Sequence, residues 1–332
     1  MDNFWKGKKV LVTGANGFLG SHLCLRLLKR GAKVVGIIKK TQAPSFLNIA
    51  LNELKPEKIK IIKSDIVYLG AICKIFKRYK PDICLHVAAQ PIVGIANKSP
   101  LPTFEANIKG TWNILESARI CATKAVVVAS SDKAYGEHKK LPYTEEAALL
   151  ALHPYDASKS CADILTRVYA HTYGLNTAVT RCANIYGPGD FNFSRIIPDT
   201  VRSAILNKSP VIRSDGTPLR DYIYIDDIAD AYLLLARKLY KKSINPGEAF
   251  NFGSCKPISV LSLVKKILLT AKKQNLKTVI KSKKKIGGEI DRQYLSSSKA
   301  SRSLGWRCRV SLDQGLKKTY AWYFNHLKCR NR

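Results

Sequence analysis

The stretch Lys9-Val10-Leu11-Val12-Thr13-Gly14-Ala15-Asn16-Gly17-Phe18-Leu19-Gly20 decides the fold. Its first five residues read as a buried strand, and glycines follow at once in the spacing Gly14-x-x-Gly17-x-x-Gly20. A glycine triplet carries weight when it leaves a strand and opens a helix, as this one does. Gly14 allows the tight turn, Gly17 lets the backbone approach a pyrophosphate, and Gly20 permits close helix–sheet packing. Asn16, Phe18 and Leu19 belong to the same turn and are counted with the cofactor site.

Outward from the turn, short apolar runs alternate with amphipathic segments. A helix over residues 19–30 should end at Gly31, a glycine suited to the position just past a helix. Strands are expected over 33–38, 59–62, 83–87, 125–129 and 177–181, with helices over 71–79, 103–118 and 158–171. This alternation predicts an α/β fold with a Rossmann-type, doubly wound parallel sheet. After Arg181 the texture changes. Gly187-Pro188-Gly189-Asp190 and Ser214-Asp215-Gly216-Thr217-Pro218 are loop signals, and strands and helices mix less regularly. We expect a dinucleotide-binding domain over 1–181. A smaller substrate lobe should span 182–332, with some segments returning to the first domain.

The 332 residues, 46% hydrophobic, suffice for one large core or two packed lobes. No run of about 18 apolar residues exists, so no membrane span is expected. No signal-peptide pattern precedes the first strand, and the nine cysteines are scattered without C-x-x-C pairs. These features point to reduced thiols in a cytoplasmic protein. The histidines lack ligand spacing, so no metal is expected. The net charge of +32 has two readings. Lysines crowd 272–285 and the tail 328–332, which would suit nucleic acid or an anionic membrane. The alternative is a solvated lysine-rich surface that helps an anionic substrate approach. We adopt the second: no nucleic-acid motif accompanies the charge, and lysine dominates where base readers favour arginine.

The chemistry-bearing residues lie further along. Tyr155 and Lys159 form a Y-x-x-x-K pair, one helical turn apart. A phenol ionises near pH 10, and a nearby ammonium favours the phenolate. Upstream stands Ser130-Ser131-Asp132-Lys133-Ala134-Tyr135-Gly136. The second strand ends in Lys39-Lys40 without the carboxylate that would meet an adenosine ribose. Lys39 would suit a 2′-phosphate, or is simply a surface lysine, so NAD and NADP both stand. Asp65 and Ile66, after the third strand, are placed to meet the adenine.

With these residues in hand, the chain resembles the extended short-chain dehydrogenase/reductases of the nucleotide-sugar epimerase/dehydratase family. The resemblance runs from about Phe4 to Tyr323. It rests on the glycine turn, His86-Val87-Ala88-Ala89-Gln90, Asn107-x-x-Gly110-Thr111-x-Asn113, the Ser131 region and the tyrosine–lysine pair. Arg181-x-x-Asn184-x-Tyr186-Gly187-Pro188-Gly189 and Arg220-Asp221-Tyr222-Ile223-Tyr224-Ile225-Asp226-Asp227 extend it. It implies NAD(P) in the first domain, with Ala88 and Ala89 against it, and a nucleoside-diphosphate sugar beneath the second lobe. Gln90, Asn184, Arg195, Arg220 and Arg292 would bind that substrate. His86 would pack beneath the cofactor as a structural residue. Ser131 matches the hydroxyl residue that meets the sugar 4-hydroxyl. The Ser-Asp-Lys run, the opening Phe4-Trp5-Lys6-Gly7-Lys8 and Ala89-Gln90-Pro91 are similar to CDP-glucose 4,6-dehydratases. Such an enzyme would oxidise C4 with Tyr155 as base and Lys159 in support, lose water, and return hydride to C6. Asp132 would protonate the leaving hydroxyl, and Lys133 stands where many relatives carry a glutamate base. A 4-epimerase, or a non-catalytic dinucleotide-binding regulator, remains the alternative. The family also implies a homodimer formed through the helices after Pro102 and Pro154. No nucleic-acid partner is expected.

Overall fold

A computed structural model describes residues 3–40, 45–54, 59–282 and 290–328. Its centre is one parallel sheet of seven strands: β1 (Lys9–Thr13), β2 (Lys33–Ile38), β3 (Ile59–Lys63), β4 (Ile83–His86), β5 (Ala125–Ala129), β6 (Thr177–Cys182) and β7 (Glu248–Phe252). They lie in the order β7-β6-β5-β4-β1-β2-β3. In register, Val10 sits beside Val34 and Ile83, and Thr13 beside Ile37 and His86. The inner strands β1, β2, β4 and β5 are largely apolar on both faces because helices cover both, whereas the edge strand β3 exposes Lys60 and Lys63.

Six helices matter for the site: α1 (Phe18–Lys29), α2 (Leu69–Tyr79), α3 (Gly110–Ile120), α4 (Pro154–Tyr173), α5 (Ile225–Tyr240) and α6 (Leu312–Lys328). Val10, Val12 and Val34 pack with Leu23 and Leu27 of α1 and Ile228 and Leu235 of α5. On the other face, Leu11, Val35 and Ile37 pack with Ile72 and Phe76 of α2 and Ile114 and Leu115 of α3. Each such buried aliphatic contributes about 1.5–3 kcal/mol relative to exposure. The alternation of periods in the first half thus became the expected doubly wound sheet.

Two helices differ most from their expected ranges. The helix expected over 103–118 is three consecutive pieces, Pro100–Phe104, a widened π turn Glu105–Lys109, and α3. The wide turn presents Asn107, whose amide donates to Gln90 O and to Ser158 Oγ. The helix expected from 158 starts at Pro154, a residue preorganised for a first helical position. Tyr155 and Lys159 therefore occupy its first two turns.

Beyond Arg181 the chain both leaves and rejoins the sheet. Asn184–Tyr186 pairs with Tyr222–Tyr224, and Leu219–Arg220 lies between Ile258–Ser259 and Arg292–Gln293. Gln293, on the last of these, reaches the turn after β5 and donates to Asp132 O. Helix α5 and strand β7 instead join the central sheet. Arg26 binds both Asp226 and Asp230, tying α1 to α5. The lysine-rich stretch lies partly, and residues 329–332 wholly, outside the described residues. Eight cysteines are described, all as free thiols. No helix among the described residues is long and apolar enough to cross a membrane.

Candidate active site

The glycine turn joins β1 to α1. Gly14 has φ +66°, and a Cβ there would lie 2.9 Å from Ala88 Cα. A Cβ on Gly20 would overlap Gly14 O, so α1 sits as close to the turn as a backbone can. Gly17 caps α1 without any side-chain hydrogen bond. The first N–H groups of α1 thus face a Cβ-free cradle with the positive end of the helix dipole behind them, which fits a dinucleotide pyrophosphate. Asn16 Nδ2 donates to Lys40 O at 2.8 Å, and Phe18 and Leu19 begin α1, packed against the core under α6. Lys39 Nζ pairs with Asp65 Oδ2 at 2.8 Å, so the two residues read as cofactor ligands neutralise one another at the end of β2. Ile66 packs against Gly110, and its carbonyl accepts from Asn113.

Beneath the cradle runs a buried chain of hydrogen bonds. Thr13 Oγ1 accepts from the N–H groups of Val87 and Ala88, so its own proton goes to His86 Nδ1 at 2.7 Å. His86 Nε2 then donates to Thr111 Oγ1, which donates to Asn107 O. His86 is therefore a neutral strut in the Nε2–H form, and burial lowers its pKa to about 3. The backbone N–H of Gln90 donates to Asn107 Oδ1. Its side chain spans Ile92 and Thr103, shaping the loop after Ala89.

Strand β5 ends at Ala129 and delivers Ser131, Asp132 and Lys133 to the same place. Ser131 caps the short turn Asp132–Tyr135 by accepting from Lys133 N. Its hydroxyl donates to Asp132 Oδ1 at 3.0 Å, and Ser131 stands beside the Tyr155 phenol, where it opposes the rise in that group's pKa. Burial pushes the Tyr155 phenol up to about 12, and the Arg195 charge opposes that rise. Lys159 Nζ donates to Ala129 O at 2.7 Å, and burial lowers its pKa to about 8. Asp132 is 2% exposed, and its Oδ2 lies 3.7 Å from Lys133 Nζ, beyond hydrogen-bond reach. Burial pushes the Lys133 amine down, with Arg220 acting in the same sense and Asp132 and Asp156 opposing.

The second lobe contributes the rest. Asn184 Nδ2 donates to Asp221 O, holding the paired strands. Arg195 Nη1 binds Asp190 Oδ2 at 3.0 Å. Arg220 Nη1 donates to the carbonyls of Leu219 and Asp291. Arg292 is exposed, whereas its neighbour Gln293 is fully buried.

The family profile described as GDP-mannose 4,6-dehydratase matches residues 11–319. This chain belongs to that family. Among its curated relatives is a CDP-glucose 4,6-dehydratase of Salmonella typhimurium, 30% identical over 335 residues, spanning 97% of this chain and 92% of the relative. A crystal structure of UDP-glucose 4-epimerase with UDP-glucose from Thermotoga maritima superposes with TM-score 0.87 at 27% identity, covering 96% of this chain and 99% of the other. The dTDP-glucose 4,6-dehydratase from Bacillus anthracis, solved in complex with NAD, does so with TM-score 0.85 at 25% identity over 97% and 98%. The expected extended short-chain dehydrogenase/reductase is thus met at the level of family and fold, and dehydratases and epimerases both populate this family's neighbourhood.

Two residues of the cluster escaped the sequence reading. Asp156 lies inside the run that contains Tyr155, and nothing in its spacing marks it as part of the site. Its side chain is 5% exposed, and burial raises its pKa to about 6. Gln293 stands 160 positions after Lys133, and its Oε1 accepts from Lys133 Nζ. Strand alternation was the available signal, since Gln293 must face opposite to Arg292.

Proposed function

We propose that this protein is an NAD(P)-dependent nucleotide-sugar 4,6-dehydratase, with CDP-glucose the first substrate to test. The observation that carries the reading is the pair of buried Asp132 and half-buried Lys133 beside Ser131 and Tyr155. An epimerase needs the tyrosine and the cofactor but has no use for an acid and an amine at that place. The resemblance of Ser131-Asp132-Lys133 to CDP-glucose 4,6-dehydratases, and the Salmonella relative, support the choice of sugar.

The glycine cradle would hold the pyrophosphate, and Tyr155 and Lys159 would face the nicotinamide end. Bound there, the dinucleotide supplies a reversible hydride acceptor. Tyr155 takes the proton of the sugar C4 hydroxyl. The ketone at C4 acidifies the C5 proton, which Lys133 removes as a free amine. Asp132 gives a proton to the departing C6 hydroxyl, and water leaves. At the end of these steps Tyr155 holds one proton more and Asp132 one fewer. Ser131 donates to Asp132 and stands beside Tyr155, so a proton shift through its hydroxyl would restore the site. Arg195 and Arg220 bring positive charge from the second lobe and suit a diphosphate. A homodimer through the α3 and α4 side completes the proposal.

The second reading, a 4-epimerase, is favoured by the likeness to the Thermotoga enzyme. Mass spectrometry after incubation with CDP-glucose, UDP-glucose, dTDP-glucose or GDP-mannose, each with NAD and with NADP, separates the two. Loss of one water from one sugar is the expected result. A change of configuration at unchanged mass means an epimerase.

A further inference from the structure

The Lys133 amine sits on a four-carbon stem with many rotamers, yet in the site its position is held from the opposite lobe. Gln293 is fully buried, and its amide has both ends on the Asp132-Lys133 dipeptide. Oε1 accepts from Lys133 Nζ, and Nε2 donates to Asp132 O at 3.0 Å. The strand that carries it, Arg292–Gln293, is hydrogen-bonded along Leu219–Arg220. The next residues are pinned to Tyr143, which donates its N–H to Tyr294 O and accepts from Ser296 N. Gln293 is therefore a fixed fork that clamps both the backbone of the Asp132 turn and the tip of Lys133.

We propose that Gln293 is a positioning residue that seats the Lys133 amine as the C5 base, an inference that rests on the dehydratase reading above. An amide oxygen orients an amine without adding a negative charge. The charged groups around Lys133 are Asp132 from its own turn, Asp156 from α4 and Arg220 from the neighbouring strand. Asp132 and Asp156 favour the ammonium when ionised, and burial with Arg220 disfavours it. A third carboxylate in place of Gln293 would lock the proton on, whereas the amide leaves the lone pair obtainable. The step balances. The nitrogen lone pair takes the C5 proton, and the C–H electrons form the C5–C6 double bond. The C6–O bond breaks, and its oxygen leaves as water with the proton of Asp132. Once C6 has regained the hydride taken from C4, Lys133 returns its proton to C5.

The test compares wild type with Q293E and Q293M on the nucleotide sugar that wild type dehydrates. The readouts are kcat and KM from pH 6 to 10, and the pH dependence of Lys133 acetylation by acetic anhydride, followed by mass spectrometry without turnover. For Q293E we expect KM little changed and kcat at neutral pH about 10–100-fold lower. The acidic limb of the profile and the acetylation midpoint should both move up by about one pH unit or more. Q293M keeps the shape but cannot accept the hydrogen bond; it should lose about tenfold in kcat without an upward shift. If Q293E does not fold, the Q293M loss in kcat at constant KM decides, and an unchanged kcat overturns the inference. A Q293E enzyme with the wild-type limb and midpoint overturns it while the dehydratase reading stands. A wild type that dehydrates no sugar overturns the C5-base role through the reading beneath it.

Discussion

Asp156 shows how one buried carboxyl can charge the molecule with pH-dependent strain. Its Oδ1 is buried without a hydrogen-bond partner, and its pKa is raised to about 6, chiefly by burial. A raised carboxyl pKa means that folding favours the protonated form. Below about pH 4 the group is protonated in both folded and unfolded chains and costs nothing. As pH climbs through 6 it ionises in the folded state and the full cost appears. Two pKa units correspond to about 3 kcal/mol. D156N should therefore stabilise the protein by about 1–3 kcal/mol at pH 7.5, with the gain vanishing near pH 4, as urea denaturation at both pH values would show. Equal gains at the two pH values would exclude this account. At the neighbouring position, Y155F should leave the circular dichroism spectrum intact and lower kcat by about 10²–10⁴-fold. A loss smaller than tenfold would remove Tyr155 from the proton transfer.

Elements meet at a second polar centre that does no chemistry. Arg181 of β6 and Asp163 of α4 form a two-pronged pair at 2.7 and 2.9 Å, both essentially fully buried. Arg181 also donates to the Tyr135 hydroxyl, which donates to Asn251 Oδ1 on β7. One guanidinium thus joins α4, which carries Tyr155 and Lys159, to the turn that carries Asp132, and to the last strand. Breaking a buried pair from one side strands the other charge, which costs about 3–5 kcal/mol. D163A should lose that much in chemical denaturation. The double variant D163A/R181M, with no orphaned charge, should recover part of the loss. A D163A protein as stable as wild type would show that water reaches Arg181.

The whole molecule leaves one flank unusually apolar. Helices α3 and α4 pack side by side and expose Trp112 at 41%, Ile120 at 49%, Ile164 at 50% and Val168 at 42%. Large side chains clustered on one face of a charged surface mark an interaction site. With a net charge of +32 opposing self-association elsewhere, the proposed homodimer would use this flank for its twofold contact. Sedimentation velocity at micromolar concentration should find a wild-type dimer, and W112E/I164E should be a folded monomer. A wild type that sediments as a monomer would remove the homodimer from the proposal.

Much of this was legible in the chain because it depends on local rules. The strand period, the helix period and Gly14, Gly17 and Gly20 specify a doubly wound sheet with a cradle at its first turn, since a backbone with φ +66° and no room for a Cβ admits only glycine. The order of Ser131, Tyr155 and Lys159 likewise follows from a strand and the helix after it, β5 and α4. What the residues could not announce was made by packing at a distance. Lys39 and Asp65 looked like separate ligands until neighbouring strand ends paired them. Lys159 stands one turn from Tyr155, but its amine donates to Ala129 O, and the charge that opposes burial of the phenol comes from Arg195 in the other lobe. The seat of Lys133 is built by a glutamine 160 residues away. Sequence determined which backbone could form and which side chains are candidates for chemistry. Only the tertiary structure decided which charges face one another, because burial and distance set those energies and neither is a property of spacing along the chain.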